Sequence, residues 1–175
     1  MGLIVFYDMW IIIDGYNLIR QWPELSQLDR VDLEAGREAL LQALQQYRRL
    51  KGHQVTVVFD GREQGGREEA AGRTRGIAVR YSRQGETADS VIARLVAEAG
   101  QAATVVSSDH AVQSAARRSG AAAISSPDFV EKIAAAHLGE FKGEEEADRP
   151  AKTGKGAAHR LPKAERRTQQ RLRNL

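Results

Sequence analysis

Trp10-Ile11-Ile12-Ile13-Asp14-Gly15-Tyr16-Asn17 is the stretch that decides the fold. A β-branched run without polar alternation reads as a strand buried on both faces, which is how the central strand of a parallel sheet reads. It stops abruptly at an acid. The same phrase recurs downstream: QVTVVF at Gln54–Phe59 closes on Asp60-Gly61, and residues 104–107 close on Ser108-Asp109. Ile77, Val79 and Tyr81 alternate, giving a strand with one polar face, and residues 121–125 form a weak last strand.

Helices fill the intervals. Residues 31–50 place Leu33, Leu40, Leu44 and Tyr47 at helical spacing, with Arg48, Arg49 and Lys51 at the end and Gly52 as the stop. A second helix runs from Thr87 through Val96 to Gly100, a third from Asp109 to Arg118, and Ser126-Pro127-Asp128 announces a fourth reaching His137. Strands alternating with helices specify an α/β sandwich with a mostly parallel central sheet. Residues 62–75 contain no apolar residue larger than alanine and read as a mobile basic loop.

The chain has 175 residues, 26 basic against 23 acidic side chains, and no cysteine. That length fits one domain with a real core. Without cysteine, thiolate zinc sites, disulfides and cysteine nucleophiles are excluded, and any metal must be held by oxygen or imidazole. The net charge of +3 hides a division: residues 148–175 hold nine basic residues against two acidic ones, a net +7, which leaves −4 for the first 147. Residues 141–175 therefore read as a charged, disordered tail, basic from 149, able to attract a polyanion.

At the other end, residues 1–9 read as a leader ahead of a domain spanning 10–140. The apolar stretch 3–13 lacks a basic n-region and a small-residue cleavage site and is too short to cross a bilayer. A soluble, cytoplasmic protein is the expectation, with no membrane partner; oligomeric state is not legible.

The strand ends carry the chemistry. In a parallel sheet the carboxyl ends share one edge, where ligands bind. Asp14, Asp60 and Asp109 each follow a buried run, and Asp89 falls in the first turn of the helix after the strand at residues 77–81. An Asp before Gly is ordinary turn chemistry, and only the set of four points further. Converging carboxylates repel one another unless a cation neutralises them. With Asp, Asn17 and Glu86 available, hard oxygen ligands favour Mg²⁺ or Mn²⁺, and such ions commonly activate water against a phosphodiester. Arg62, Arg67, Arg73 and Arg75 leave the same edge as Asp60 and are expected to hold phosphates, as are Arg166, Arg167, Arg171 and Arg173 in the tail. No Gly-x-Ser-x-Gly elbow or P-loop ending is present.

Four motifs in order are similar to those of the YacP-like NYN domains: Ile12-Ile13-Asp14-Gly15-Tyr16-Asn17, Val58-Phe59-Asp60-Gly61, Glu86-Thr87-Ala88-Asp89 and Val106-Ser107-Ser108-Asp109. The resemblance implies a PIN-like three-layer sandwich with an acidic divalent-metal site. It implies Asp14, Asp89 and Asp109 as the catalytic and metal-binding core, with Asn17 and Asp60 in support. From their positions alone, Glu86 is a further supporting oxygen donor and Ser108 either orients a ligand or phosphate or only caps the helix that follows. It also implies an endoribonuclease that cuts mRNA, with the ribosome as a partner. Two other classes compete: a non-catalytic RNA- or ribosome-binding module of the same fold, and a phosphotransfer enzyme built on a strand-end Asp. Under the metal hypothesis Asp14, Asp89 and Asp109 should converge to roughly 4–6 Å of one another.

Overall fold

The computed structural model describes residues 9–64, 70–142 and 163–175. Its centre is β1 (Trp10–Asp14), paired in parallel with β2 (Gln54–Phe59) on one side and β5 (Ala103–Val106) on the other. The six-stranded sheet has the order β3-β4-β2-β1-β5-β6, with β3 at Ala70–Thr74, β4 at Ile77–Tyr81 and β6 at Ala122–Ile124. Chain order runs outward from β1 through β2 to β4, then returns to start β5 on the other side. That reversal opens a crevice at the carboxyl ends of β1 and β5.

The pleat sorts the core into two halves. Ile11 and Ile13 point to one face with Leu18, Leu40, Leu44 and Phe129, while Ile12 points to the other with Val91, Ile92 and Leu95. The first face carries α1 (Gly15–Gln21), α2 (Pro23–Val31), α3 (Leu33–Lys51) and α6 (Ser126–Lys142); the second carries α4 (Ala88–Ala99) and α5 (His110–Arg118). This is the α/β sandwich that the strand–helix alternation specified. Each fully buried aliphatic side chain contributes roughly 1.5–3 kcal/mol, so β1 and β2, both covered on two faces, anchor the sheet. Asp32 starts α3 by accepting from the Glu34 N–H at 2.9 Å, and Gly52, at φ 74°, ends it in the left-handed conformation.

Several expectations are corrected. Residues 70–74 are not loop: β3 (Ala70–Thr74) pairs antiparallel with β4, although every one of its residues is exposed. The ladder, not side-chain burial, forms this strand, so its sequence carries no apolar signal. The unexpected helices α1 and α2 are short; Leu18, Trp22, Leu25 and Leu28 stand at helical spacing, a signal that was there to be read although α2 buries only Leu25. Met9, read as leader, is buried, and its carbonyl accepts from Gln54 N–H at 3.0 Å. Residues 1–8 lie outside the described residues.

The tail is corrected in part. Lys163–Asn174 forms a helix, α7, and Leu172 and Leu175 pack against the α1–α3–α6 face. Tyr47 Oη donates to the Leu175 carbonyl at 2.5 Å, and a ring nitrogen of His53 lies 3.2 Å from the Asn174 carbonyl. Residues 143–162 lie outside the described residues. Among those described, no helix is long and apolar enough to cross a membrane.

Candidate active site

Asp14 is the last residue of β1, Asp60 the first after β2, Asp89 sits in the first turn of α4, and Asp109 is the N-cap of α5. All four line one cavity of about 410 Å³ at the carboxyl edge, together with Tyr16, Asn17, Arg20, Gln21, Arg62 and Thr87. Strands supply three acids because their ends share an edge. Thr87 supplies the fourth by capping α4, its Oγ1 accepting from Ser90 N–H at 3.3 Å.

Asp14 is the electrostatic centre. Its carboxyl is pushed up to about 6, first by burial and then by the negative charges of Asp89 and Asp109, against the lowering influence of hydrogen bonding from Ser107 and the Asn17 backbone. Asp89 is also raised, first by burial and then by Asp109 and Asp60. The four acids thus sense one another through a shared space.

Behind them is a hydrogen-bonded frame. Ser107 Oγ donates to Asp14 Oδ2 at 3.2 Å and accepts from Asp109 N–H at 3.1 Å, linking the two acids through one hydroxyl. Asn17 Oδ1 accepts from Ser108 N–H and from Ser126 Oγ, both at 2.8 Å, and Ser108 Oγ accepts from Ser126 N–H at 3.1 Å. One amide therefore ties α1 to the β5–α5 loop and to the start of α6. Ser126 was expected to cap α6; Ser125 does so instead, accepting from Asp128 N–H at 3.2 Å, which frees the Ser126 hydroxyl for Asn17.

Other expected residues fall elsewhere. Glu86 is not in the cavity: it is held between Arg83, at 3.7 Å, and Arg94. Of the loop arginines, Arg62 lines the cavity, its backbone N–H donating to Asp60 Oδ1 at 3.0 Å. Arg73 and Arg75 do not, because antiparallel β3 carries the chain back to the amino edge, where Arg73 pairs in register with Ala78 and Arg75 bonds to Glu38. Arg67 lies outside the described residues. Arg166, Arg167 and Arg173 are exposed on α7 and Arg171 is half-buried there. Arg20 was missed: it stands one helical turn after Asn17 with its guanidinium 5.7 Å from the Tyr16 ring centre. Its i, i+3 spacing from Asn17 was the available signal.

The donors fit a hard divalent cation in kind: oxygen only, with mutual repulsion that a cation would relieve. Among the described residues, however, no three carboxylates or imidazoles form a ready metal-holding group. The expected tight convergence of Asp14, Asp89 and Asp109 is not found there; Asp109 Oδ1 instead accepts from Ala111 N–H at 2.7 Å and Val112 N–H at 3.1 Å. Mg²⁺ commonly keeps several of its waters, so acids that do not close into a cage still suit it.

An α/β sandwich with its acids gathered at the carboxyl edge is the class defined by this fold and site. The sequence matches the YacP-like NYN domain family over residues 11–174, and the chain belongs to that family. It is 32% identical over 126 residues to the protein YacP of Bacillus subtilis (strain 168), covering 70% of this chain and 74% of that one. The crystal structure of Rae1 (YacP) from Bacillus subtilis superposes with a TM-score of 0.61 at 28% identity, covering 78% of this chain and 83% of that one. The crystal structure of a point mutant of the same Bacillus subtilis protein gives a TM-score of 0.66 at 25% identity, covering 79% of this chain and 86% of that one.

Proposed function

We propose that this protein is a divalent-metal-dependent endoribonuclease that hydrolyses RNA phosphodiesters. The observation that carries the reading is the cavity itself: four acids from separate elements, with Arg20 and Arg62 on its walls. Asp14, Asp89 and Asp109 would hold Mg²⁺ or Mn²⁺. Such an ion, when bound, supplies an acidified water and charge neutralisation at the phosphate. The chain's own groups do the rest. Ser107 orients the Asp14 carboxylate, and Asn17 fixes the loop bearing Asp109. Arg20 and Arg62 hold phosphate oxygens that the acids alone would repel. Family membership supports RNA as substrate and a cytoplasmic enzyme. The narrower setting, mRNA engaged with the ribosome, is carried by the family resemblance alone.

The second reading, an RNA-binding module without catalysis, is favoured by one observation: Asp109 spends an oxygen on capping α5. Cleavage of a structured RNA and of a ribosome-bound mRNA with Mg²⁺, Mn²⁺ or EDTA separates the two. The nuclease reading expects cleavage with either ion, none with EDTA, and a loss of roughly a hundredfold or more in Asp89→Asn, given the several kcal/mol that metal neutralisation supplies. Equal cleavage by wild type and Asp89→Asn would overturn the metal mechanism. No cleavage under any condition, with RNA binding retained, would establish the module.

A further inference from the structure

Arg48, at the end of α3, and Arg73, on β3, converge at the amino edge, at the opposite end of the sheet from the acids. Arg73 Nη1 donates to the Gly76 carbonyl at 3.2 Å. Arg48 presses on the same residue so closely that a Cβ added to Gly76 would lie 2.8 Å from Arg48 Nη1. Arg48 and Arg73 line a cleft of about 390 Å³ together with His53, Gln54, Thr56 and Gly76 of the β3–β4 turn, and among the described residues no carboxylate lines it. The nearby Glu38 is engaged by Arg75.

Two like charges brought onto one glycine without a counter-charge repel, and the repulsion is relieved by an anion in the cleft. Helix-dipole pairing accounts for Arg48 in the last turn of α3, but it does not account for Arg73, which lies on a strand. Gly76, at φ 80°, turns the hairpin tightly enough to bring Arg73 back towards α3. Each guanidinium has donors to spare: the Arg73 bond uses one of five, and among the described residues no acid pairs with Arg48.

We propose that the Arg48–Arg73 cleft is a second phosphate site, which holds the backbone of a bound RNA away from the point of cleavage. The choice of RNA rests on the nuclease reading above; the anion site itself rests on the two arginines. Five-residue β4 separates the two edges by roughly 16 Å, so the cleft and the acidic cavity engage different stretches of the same RNA.

The test uses the full chain carrying Asp89→Asn, so that RNA is bound and not cut. Binding of a labelled RNA hairpin is followed by fluorescence anisotropy across a salt series. Adding Arg48→Gln with Arg73→Gln is expected to weaken binding roughly tenfold and to flatten the log–log salt slope by about 1–2, the loss of two phosphate contacts. Arg49→Gln with Arg118→Gln, which removes two exposed charges outside the cleft, is expected to change affinity less than twofold. Arg73→Gln alone, an exposed substitution, is expected to give an intermediate loss and guards against misfolding of the double variant. Equal losses in the two double variants, or none in the cleft variant, would overturn the site. Calorimetric binding of inorganic phosphate that depends on Arg48 and Arg73, with RNA affinity unchanged, would overturn the RNA assignment. If RNA binding follows the cleft while wild type cuts nothing, the cleft stands and the nuclease reading fails.

Discussion

Asp14 is raised to about 6, and that value has a consequence for stability. Its folded pKa lies above the ordinary 3.8, so folding favours the protonated form. The favourable contribution is complete below about pH 4 and is lost as pH rises through 6. Above that the ionised carboxylate opposes folding. Asp14→Asn is therefore expected to raise the melting temperature at pH 7.5, by roughly 2 kcal/mol in stability, and to have little effect at pH 3.5. Equal stabilisation at both pH values would refute the electrostatic account. By the same logic Mg²⁺ or Mn²⁺ should stabilise wild type at pH 7.5, in proportion to RT ln(1 + [L]/Kd), and Asp14→Asn with Asp89→Asn much less. The glycines after the acids have a different cause from the one their sequence suggests. A Cβ on Gly15 would lie 2.4 Å from Phe59, and one on Gly61 would lie 1.9 Å from the Ser82 carbonyl. They are present because neighbours press against them, and Gly61→Ala is expected to cost about 2–3 kcal/mol in denaturant unfolding. Sequence made the acids legible because they follow buried runs; it hid Ser126, whose partner is 109 residues away.

At the level of elements, the strands with buried faces were readable and the elements held by a few contacts were not. β1, β2 and β5 announce themselves because both faces meet helices, so their composition is forced. β3 has an Ala-Ala-Gly-Arg-Thr sequence that any loop could carry, and only its ladder with β4 defines it. Placing Arg73 and Arg75 at the carboxyl edge failed for that reason: one antiparallel strand reverses which end of the sheet a residue reaches. α7 was missed because its attachment depends on Leu172, Leu175 and two bonds to carbonyls, too little for a periodic pattern. Tyr47→Phe removes one of those bonds and is expected to cost about 1 kcal/mol. Hydrogen exchange should show the loss as faster exchange in 163–175, with β1 unchanged; uniform acceleration would mean that α7 is not a separable unit.

For the whole molecule, the sheet acts as a partition between two charge environments. Its carboxyl edge gathers Asp14, Asp60, Asp89 and Asp109, and its amino edge gathers Arg48 and Arg73. The net charge of +3 describes neither. On the nuclease reading, RNA affinity is expected to fall steeply with salt while a cation requirement of cleavage would not, because phosphate contacts are ionic and exposed whereas the acids act at short range. Parallel salt loss of RNA binding and of metal dependence would contradict that separation. The contact between Tyr47 and Leu175 also bears on the order in which the elements can close during synthesis. The partners are 128 residues apart, so at roughly 5–20 residues per second the ribosome takes on the order of ten seconds to deliver the second after the first. The α6 part of the surface on which α7 closes, residues 126–142, arrives only late in that interval, and from then until Leu175 is added the nascent chain has that face but not yet the helix that covers it.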